Sequence, residues 1–124
     1  GHMIVERMLE EWDAGVQRFD RPGEALFAAW HGDEIIGIGG RIVDPYLNDP
    51  TIARVRRVYV RRSARRLGVG CRLLAPVIDL SGTPFTRLIL RTWTQEADRF
   101  YQTLGFIKVE DVHATHQFRY LEAA

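Results

Sequence analysis

Residues 51–80 read as a strand that leads through a short arginine-rich link into an apolar helix. The stretch TIARVRRVYV, residues 51–60, is rich in β-branched and aromatic side chains, which is typical of a strand. The helix is expected from about Gly70 to Leu80, and a Ser-Gly-Thr-Pro sequence ends it. A strand that passes directly into a helix is a building unit of layered α/β folds. We therefore expect a sheet with helices packed against it.

The rest of the chain extends this unit into one domain. In chain order, the patterns predict an amphipathic helix at 4–19, a hairpin of strands at 25–30 and 34–43, a turn-rich loop at 44–50, a strand at 86–93, a helix at 95–104 closed by Gly105, and strands at 106–109 and 115–121. This order describes a mixed α/β layer with crossovers in its middle. A chain of 124 residues supports a single core, and we assign the domain to residues 4–124, because Gly1-His2-Met3 looks like a remnant of cloning.

Charge and cysteine content narrow the function classes. Seventeen Lys and Arg residues against sixteen Asp and Glu leave a net charge of +1, so the chain lacks the global positive field typical of nucleic-acid binding. The single cysteine, Cys71, excludes an internal disulfide framework and is typical of a reducing compartment. No apolar run is long enough to span a bilayer, and the start lacks a signal-peptide pattern. We predict a cytoplasmic protein that binds neither nucleic acid nor membrane.

The link between strand and helix ends in the pattern R-x-x-G-x-G, which contains Arg65, Arg66, Gly68 and Gly70. A helix start has unpaired N–H groups and the positive end of the helix dipole, and glycines there leave room for a phosphate. No G-K-[ST] follows, and no acidic residue lies at a dinucleotide-fold position, which disfavours nucleoside triphosphates and NAD. From these residues alone, an anion site and a merely tight turn both stay open.

The same stretch resembles the acyl-CoA-binding core of the GNAT N-acetyltransferase family. Val58-Tyr59-Val60, the basic link, R-x-x-G-x-G and the apolar helix match the family's first motif, and RFYQTLGF at 99–106 is similar to its second. The resemblance covers about residues 25–121 in element order. It implies an α/β fold with a mixed, mostly antiparallel central sheet flanked by helices, a splayed strand pair and a shortened N-terminal region.

This resemblance implies transfer of an acetyl group from acetyl-CoA directly to an amine of a small molecule or peptide, without a metal. Tyr101 is implied as the acid that meets the leaving sulfur. Because the pKa of tyrosine is about 10 and that of a thiol is about 8.5, a hydrogen bond to the thiolate is easier than full proton transfer. The implied cofactor contacts are the turn at Arg65, Arg66, Gly68, Val69 and Gly70 for the pyrophosphate, the backbone of Val58, Tyr59 and Val60 for the pantetheine arm, and Thr94 for a cofactor carbonyl.

The general base is where the sequence departs from the family. Relatives often carry a glutamate on the strand before the phosphate turn, and this chain has Arg54, Arg56 and Arg57 there. A site without a strong base favours an acceptor such as an α-amine, with a pKa of about 8, over a lysine side chain at about 10.4. The substitutes that stay open as bases are a water chain and the side chains of Glu96, His113, His116 and Tyr59.

Three arginines are candidate ligands for an acidic group on the acceptor. Arg54 and Arg56 alternate onto one face of their strand, and Arg91 follows on the neighbouring strand, which favours a clamp for a carboxylate or phosphate. Charges that reach bulk water, or an acidic partner subunit in a homodimer, explain these arginines equally well. Two further functions stay open: a sensor module that binds acyl-CoA without catalysis, and nucleic-acid binding through 54–66, where no recognition-helix layout is found.

Overall fold

The computed structural model of the protein describes residues 18–65 and 67–120. Over these residues the chain forms six strands and two α-helices. The strands are β1 (Ala25–His31), β2 (Glu34–Val43), β3 (Ile52–Val60), β4 (Arg87–Leu90), β5 (Ile107–Asp111) and β6 (Ala114–Arg119). The helices are α1 (Val69–Ile78) and α2 (Gln95–Thr103), and a short 3-10 helix, Arg62–Ala64, links β3 to α1.

The strands form one sheet in the order β1-β2-β3-β4-β6-β5. Only β3 and β4 run parallel, joined by the crossover through α1, and every other neighbouring pair is antiparallel. This architecture confirms the mixed, mostly antiparallel α/β sheet with flanking helices. The strand predicted over 86–93 is shorter than expected, because its ladder ends at Leu90 and residues 91–94 lie outside it.

The parallel pair separates soon after it begins. β3 and β4 pair at Ile52 with Arg87, at Ala53 with Leu88 and at Arg54 with Ile89. Beyond this point β3 continues to Val60, still paired with β2 on its other side. Among the described residues, the edge of β3 that faces β4 is therefore left without a neighbouring strand, as expected for a splayed strand pair.

A β-bulge lies in the splayed part of β3. The register with β2 shifts between Ile38 and Gly40, where Arg57 and Val58 together oppose Gly39. Arg57 has a φ of 58°, a left-handed conformation that is costly for a residue with a side chain. The extra residue reverses the alternation of side chains along the strand. As a result, valines from both sides of the bulge pack into the same core, namely Val55, Val58 and Val60.

The main core lies between the sheet and the two helices. Its most deeply buried members come from β3, α1 and β4, and they include Ala53, Leu74, Val77 and Leu88. A smaller cluster of Ile52, Ile89 and Ala114 lies on the opposite face. The helix predicted at 4–19 falls mainly outside the described residues. Its expected last residues, 18 and 19, are not helical.

A buried arginine fixes the end of α1 against the sheet. The Arg41 Nη1 donates to the carbonyl oxygens of Pro76, Val77 and Asp79 at 2.8, 3.1 and 3.0 Å, and its Nε donates to the carbonyl of Gly23 at 2.8 Å. The carbonyls of Pro76, Val77 and Asp79 belong to the helix end, where no intrahelical donor is available. Burial lowers the pKa of Arg41, while the charge of Asp79 opposes that shift. Arg41 thereby holds α1, and the turn at its other end, in a fixed position.

Candidate functional site

A cleft of about 1020 Å³ opens where β3 and β4 separate. Because the gap lies between two strands of one sheet, side chains from both faces of the sheet line it. Phe100 and Tyr101 of α2 reach it from the face covered by the helices, and Tyr46 and His113 reach it from loops on the opposite face. The cleft thus has one side formed by the helices and another formed by the β2–β3 loop and the β5–β6 turn.

The first turn of α1 forms part of the cleft wall. Gly68 is the N-cap residue of α1, with a φ of 77°, and none of the described side chains caps the amides that follow it. The helical hydrogen bonding begins with Arg72, whose N–H donates to the Gly68 carbonyl at 3.2 Å. A Cβ atom added at Gly68 would have no atom within 4 Å. Uncapped amides at an open helix start form a site suited to a phosphate.

A close contact with Phe100 is a structural reason for the glycine at position 70, beside the predicted phosphate contact. A Cβ atom at Gly70 would lie 3.1 Å from Cζ and 3.2 Å from Cε1 of Phe100. The missing side chain therefore allows the ring of Phe100, on α2, to pack against the start of α1. Because both residues line the cleft, this contact also fixes the distance between the two helices at the site.

The remaining predicted cofactor residues differ in how they meet the cleft. Arg65 lines it, and its Nε donates to the Val60 carbonyl at 3.2 Å. Thr94 lines it as well, and its Oγ1 accepts a hydrogen bond from the Ala97 N–H at 3.1 Å, which caps α2. Val58 and Val60 are also among the lining residues, whereas Tyr59 and Val69 are not. Arg66 lies outside the described residues. The cofactor contacts of these residues stay predictions.

Tyr101 combines a buried ring with an accessible hydroxyl. Its ring packs edge-on against Phe100 and Phe106, with centroids 5.2 and 5.4 Å away. Within the described chain the hydroxyl makes no hydrogen bond, and no fully buried side-chain oxygen there lacks a partner, so the hydroxyl is open to the cleft. Burial raises the pKa of Tyr101 to about 12. The residue therefore stays protonated near neutral pH and can donate a hydrogen bond to a group in the cleft.

The described cleft is strongly basic. Five arginines line it, and the only carboxylate among its described lining residues is that of Glu96. A cleft lined by one sign of charge concentrates ligands of the opposite sign. The arginines are Arg54, Arg56, Arg57, Arg65 and Arg91.

Arg54, one of the predicted acceptor ligands, is engaged by protein groups. Its Nε is 2.8 Å from Oδ1 of Asp44, and both side chains are buried, with 5% and 0% of their surface exposed. Its Nη2 donates to the carbonyl of His113. The Asp44 carboxylate also accepts the N–H groups of Tyr46 and Leu47 at 3.2 and 2.7 Å. Arg54 therefore ties two loops together at the cleft, which leaves Arg56 and Arg91 as the predicted clamp.

On the aromatic side of the cleft the sequence indicated His113 as a candidate base, but it indicated neither Tyr46 nor Trp93 as a residue of the site. Tyr46 comes from the turn-rich loop after β2, and its ring stacks on that of His113 with a centroid distance of 4.9 Å and an interplanar angle of 6°. The Arg56 Nη2 donates to the Tyr46 hydroxyl at 3.1 Å. The guanidinium of Arg91 stacks on the Trp93 ring at 4.3 Å. The turn composition of residues 44–50 was the one signal that pointed to this loop.

His116, one of the candidate bases, does not line the cleft. It is 2% exposed, its Nε2 is 2.7 Å from Oδ1 of Asp98, and its Nδ1 is 2.8 Å from Oγ1 of Thr115. The Thr115 Oγ1 also accepts the N–H of Thr92 at 3.0 Å. The hydrogen bond to His116, followed by that to Gln102, lowers the pKa of Asp98. Since both ring nitrogens of His116 are occupied, its role is to join α2 to the chain that follows β4.

Two further features concern membranes and metals. None of the helices among the described residues is both long and apolar enough to span a membrane. In the same parts of the chain, no three His, Cys, Asp or Glu side chains are grouped so that they could hold a metal ion.

Comparison with known proteins agrees with this geometry. The family profile described as acetyltransferase (GNAT) domain matches residues 22–108. A protein from Exiguobacterium sp. 255-15, assigned as an acetyltransferase, has a TM-score of 0.79 and 33% identity over 93% of this chain and 74% of its own. An acetyltransferase from Thermus thermophilus has a TM-score of 0.67 and 19% identity over 92% and 71% of the two chains.

A GNAT-family acetyltransferase from Staphylococcus aureus Mu50 has a TM-score of 0.64 and 18% identity over 92% of this chain and 85% of its own. No curated protein matches the chain. The family profile covers well over half of the chain, and the Exiguobacterium protein is a clear relative in sequence as well as in fold. The chain belongs to the GNAT acetyltransferase family.

Proposed function

We propose that this protein is a cytoplasmic N-acetyltransferase that moves an acetyl group from acetyl-CoA directly to an amine in a ternary complex. The observation that carries the proposal is the uncapped start of α1, opened by Gly68, in the wall of a cleft that also contains the protonated Tyr101. An anion site and a hydrogen-bond donor in one cleft are what a thioester carried on a diphosphate requires.

The cofactor is proposed to lie along the helix side of the cleft. Its pyrophosphate would bind the amides at Gly68, Val69 and Gly70, with Arg65 and Arg66 beside them. The pantetheine arm would pair with the backbone of residues 58–60, in the manner of an added strand, and Thr94 would donate to one of its carbonyls. The Val60 carbonyl accepts a hydrogen bond from Arg65, so Arg65 would turn toward the phosphates when the arm binds.

In the proposed reaction the amine nitrogen attacks the thioester carbonyl, the carbon–nitrogen bond forms, and the carbon–sulfur bond breaks. The amine gives up one proton, and the sulfur leaves as a thiolate. Full proton transfer from Tyr101, with its pKa of about 12, to a thiolate whose thiol has a pKa of about 8.5 would cost about 5 kcal/mol. Hydrogen-bond donation carries no such cost, so we assign Tyr101 the role of stabilising the developing thiolate.

The acceptor is proposed to be an amine on a small molecule or peptide that also carries an acidic group. Arg56 and Arg91 line the cleft, and both guanidinium groups lie against aromatic rings that restrict their orientation. A carboxylate between them would form charge-assisted hydrogen bonds. A preference for polyamines over acidic amines would contradict this part of the proposal.

The direct test is acetyl-CoA binding followed by turnover. Acetyl-CoA at 100 times its dissociation constant is expected to raise the free energy of unfolding by about 2.7 kcal/mol, which a thermal melt detects. Thiol release is then measured with a panel of acidic, neutral and basic amines. If millimolar acetyl-CoA leaves the melting temperature unchanged and calorimetry detects no binding, the proposal is wrong.

A second candidate function is a sensor that binds acyl-CoA without catalysis. The observation in its favour is that the cleft-facing part of β3 carries arginines where the family often has a glutamate base. The two functions agree on binding and differ in turnover. Tight binding of acetyl-CoA together with no thiol release for any amine would select the sensor.

A further inference from the structure

We infer that His113 is the general base of the reaction, and that Tyr46 and Arg54 are the positioning residues that hold its ring at the acceptor side of the cleft. The inference rests on the proposed acetyl transfer and adds the group that receives the proton of the amine. It depends on the location of His113, on how its ring is held, and on the state of its two ring nitrogens.

His113 lies on the side of the cleft that the cofactor would leave open. The proposed cofactor contacts, Gly68 and Tyr101, belong to the face covered by α1 and α2. His113 lies in the turn between β5 and β6 and lines the cleft from the opposite face. An amine that attacks the thioester must come from the side away from the cofactor. Its departing proton is therefore released toward His113.

The His113 residue is held at three points. Its ring stacks on Tyr46 at 4.9 Å, its backbone N–H donates to the Asp111 carboxylate at 2.8 Å, and its carbonyl accepts from the Arg54 Nη2. Arg54 is fixed in turn by the buried Asp44. The two backbone contacts hold the turn, and the stack on Tyr46 holds the plane of the ring where it lines the cleft.

The two ring nitrogens of His113 are available. Among the described residues neither nitrogen has a hydrogen-bond partner, in contrast to His116, whose ring nitrogens contact Asp98 and Thr115. A neutral imidazole with an unoccupied nitrogen can accept a proton. The charged and titratable groups around the ring are Tyr46, Asp44, Arg54, Arg56 and Asp111.

The other proton acceptors that line the described cleft are less suitable. Glu96 is in the first turn of α2, on the side of the cleft where the cofactor is proposed to bind, away from the incoming amine. The Tyr46 hydroxyl is bonded to Arg56. Cys71 is in the first turn of α1, next to the proposed pyrophosphate site. His113 is the acceptor that lies on the amine side with an unbonded nitrogen.

The proposed step moves one acetyl group and one proton. The neutral amine attacks the carbonyl carbon, and its proton passes to the ring nitrogen of His113 while the carbon–nitrogen bond forms. The carbon–sulfur bond then breaks, and the thiolate leaves with the hydrogen bond from Tyr101. The imidazolium returns its proton to water, and the thiolate takes one from water, so that the products are the amide and coenzyme A.

The first test compares His113→Phe, which keeps an aromatic ring for the stack on Tyr46, with His31→Phe, an exposed histidine outside the cleft. We expect H113F to lower kcat/KM at neutral pH by about 100-fold or more while acetyl-CoA affinity stays within about twofold, and H31F to change neither. Activity of H113F within about threefold of wild type would overturn the inference alone. Absence of turnover in the wild type would overturn it together with the proposed function.

The second test separates a base from a structural residue. With an aromatic amine, which is uncharged near neutral pH, the acidic limb of the kcat/KM profile reports the enzyme's base. We expect this limb in the wild type and not in H113F, and we expect added imidazole to restore part of the activity of His113→Ala. A limb that persists in H113F, or an H113A variant that imidazole does not rescue, would show that His113 acts only through packing. If H113F fails to fold, His113→Gln takes its place in the profile.

Discussion

The environment of Tyr101 couples a single proton to the stability of the whole protein. The ring is enclosed by Phe100, Phe106 and His116, and burial raises the pKa of the hydroxyl to about 12. In the unfolded chain the same hydroxyl has a pKa of about 10. Between these values the folded state keeps a proton that the unfolded state has released, so the free energy of unfolding decreases as pH rises.

We expect Tyr101→Phe to remove this alkaline dependence. The contribution is fully present below about pH 10, and up to about 2.7 kcal/mol is lost as pH approaches about 12. Urea denaturation of wild type and Y101F at several pH values between 8 and 11 measures the difference. Tyr46→Phe, at a tyrosine that is 50% exposed, is the matched control and is expected to follow the wild type. Parallel curves for wild type and Y101F would contradict the buried environment described for Tyr101.

At the scale of elements, Gly68 gives the start of α1 both its backbone conformation and its open space. Gly68 has a φ of 77°, which an L side chain adopts only with strain, and the space in front of it is open to the cleft. Gly82 has a nearly identical φ of 74° and is equally unobstructed, but it lies outside the cleft. Substitutions at the two glycines therefore separate the free-energy cost of the backbone conformation from the effect on acetyl-CoA binding.

We expect Gly68→Ala and Gly82→Ala to lower the free energy of unfolding by a similar amount, about 1 kcal/mol each. Only Gly68→Ala should also weaken acetyl-CoA binding, by about tenfold or more, because its methyl group would stand in front of the helix amides. Thermal melts with and without acetyl-CoA measure both quantities. Equal acetyl-CoA affinities for the two variants would show that the pyrophosphate does not bind at this turn.

At the scale of the whole molecule, the splayed pair makes the sheet open along part of one strand. In the part of the chain that the structure describes, the β3 edge beyond Arg54 has no neighbouring strand, and the cleft extends along it to Val60. A ligand that pairs with this edge would give the sheet hydrogen bonds that it lacks on its own.

Hydrogen exchange can follow this completion of the sheet. We expect acetyl-CoA to slow the exchange of amides in residues 55–60 and at the start of α1, because those amides gain hydrogen-bond partners. The hairpin of β1 and β2 lies on the side of β3 away from the cleft. Its amides serve as the internal control, and we expect their exchange rates to stay unchanged. Protection of the hairpin to the same degree as β3 would indicate general stabilisation without strand pairing.

The order of elements could be predicted from the sequence because local patterns determine it. The hairpin at 25–43, the loop at 44–50 and the helix end at Gly105 depend on periodicity and turn residues a few positions apart. Gly105, with its φ of 101°, is where a helix-ending glycine was expected. The separation of β3 from β4 was predicted from the family resemblance, because the residues of β3 alone do not indicate it.

The features that the sequence did not reveal depend on distant partners. The bulge at Arg57 is defined by the register with β2, and the role of Gly70 depends on Phe100, thirty positions along the chain. The buried state of Arg54 depends on Asp44, since an arginine on a strand near a cleft otherwise suggests a ligand contact. The strand predicted to reach residue 93 ends at Leu90 because β3 has already turned away from it.

The unpaired edge of β3 is open to extended peptides as well as to the cofactor. Any extended peptide that entered the gap beside β3 would find the same free backbone groups, as at the edge of an aggregating sheet. Here the entrance is lined by guanidinium groups, which repel basic segments and attract a ligand that brings its own negative charge. The arginines that make the cleft attractive to a phosphate therefore also disfavour the pairing of a basic segment with this edge.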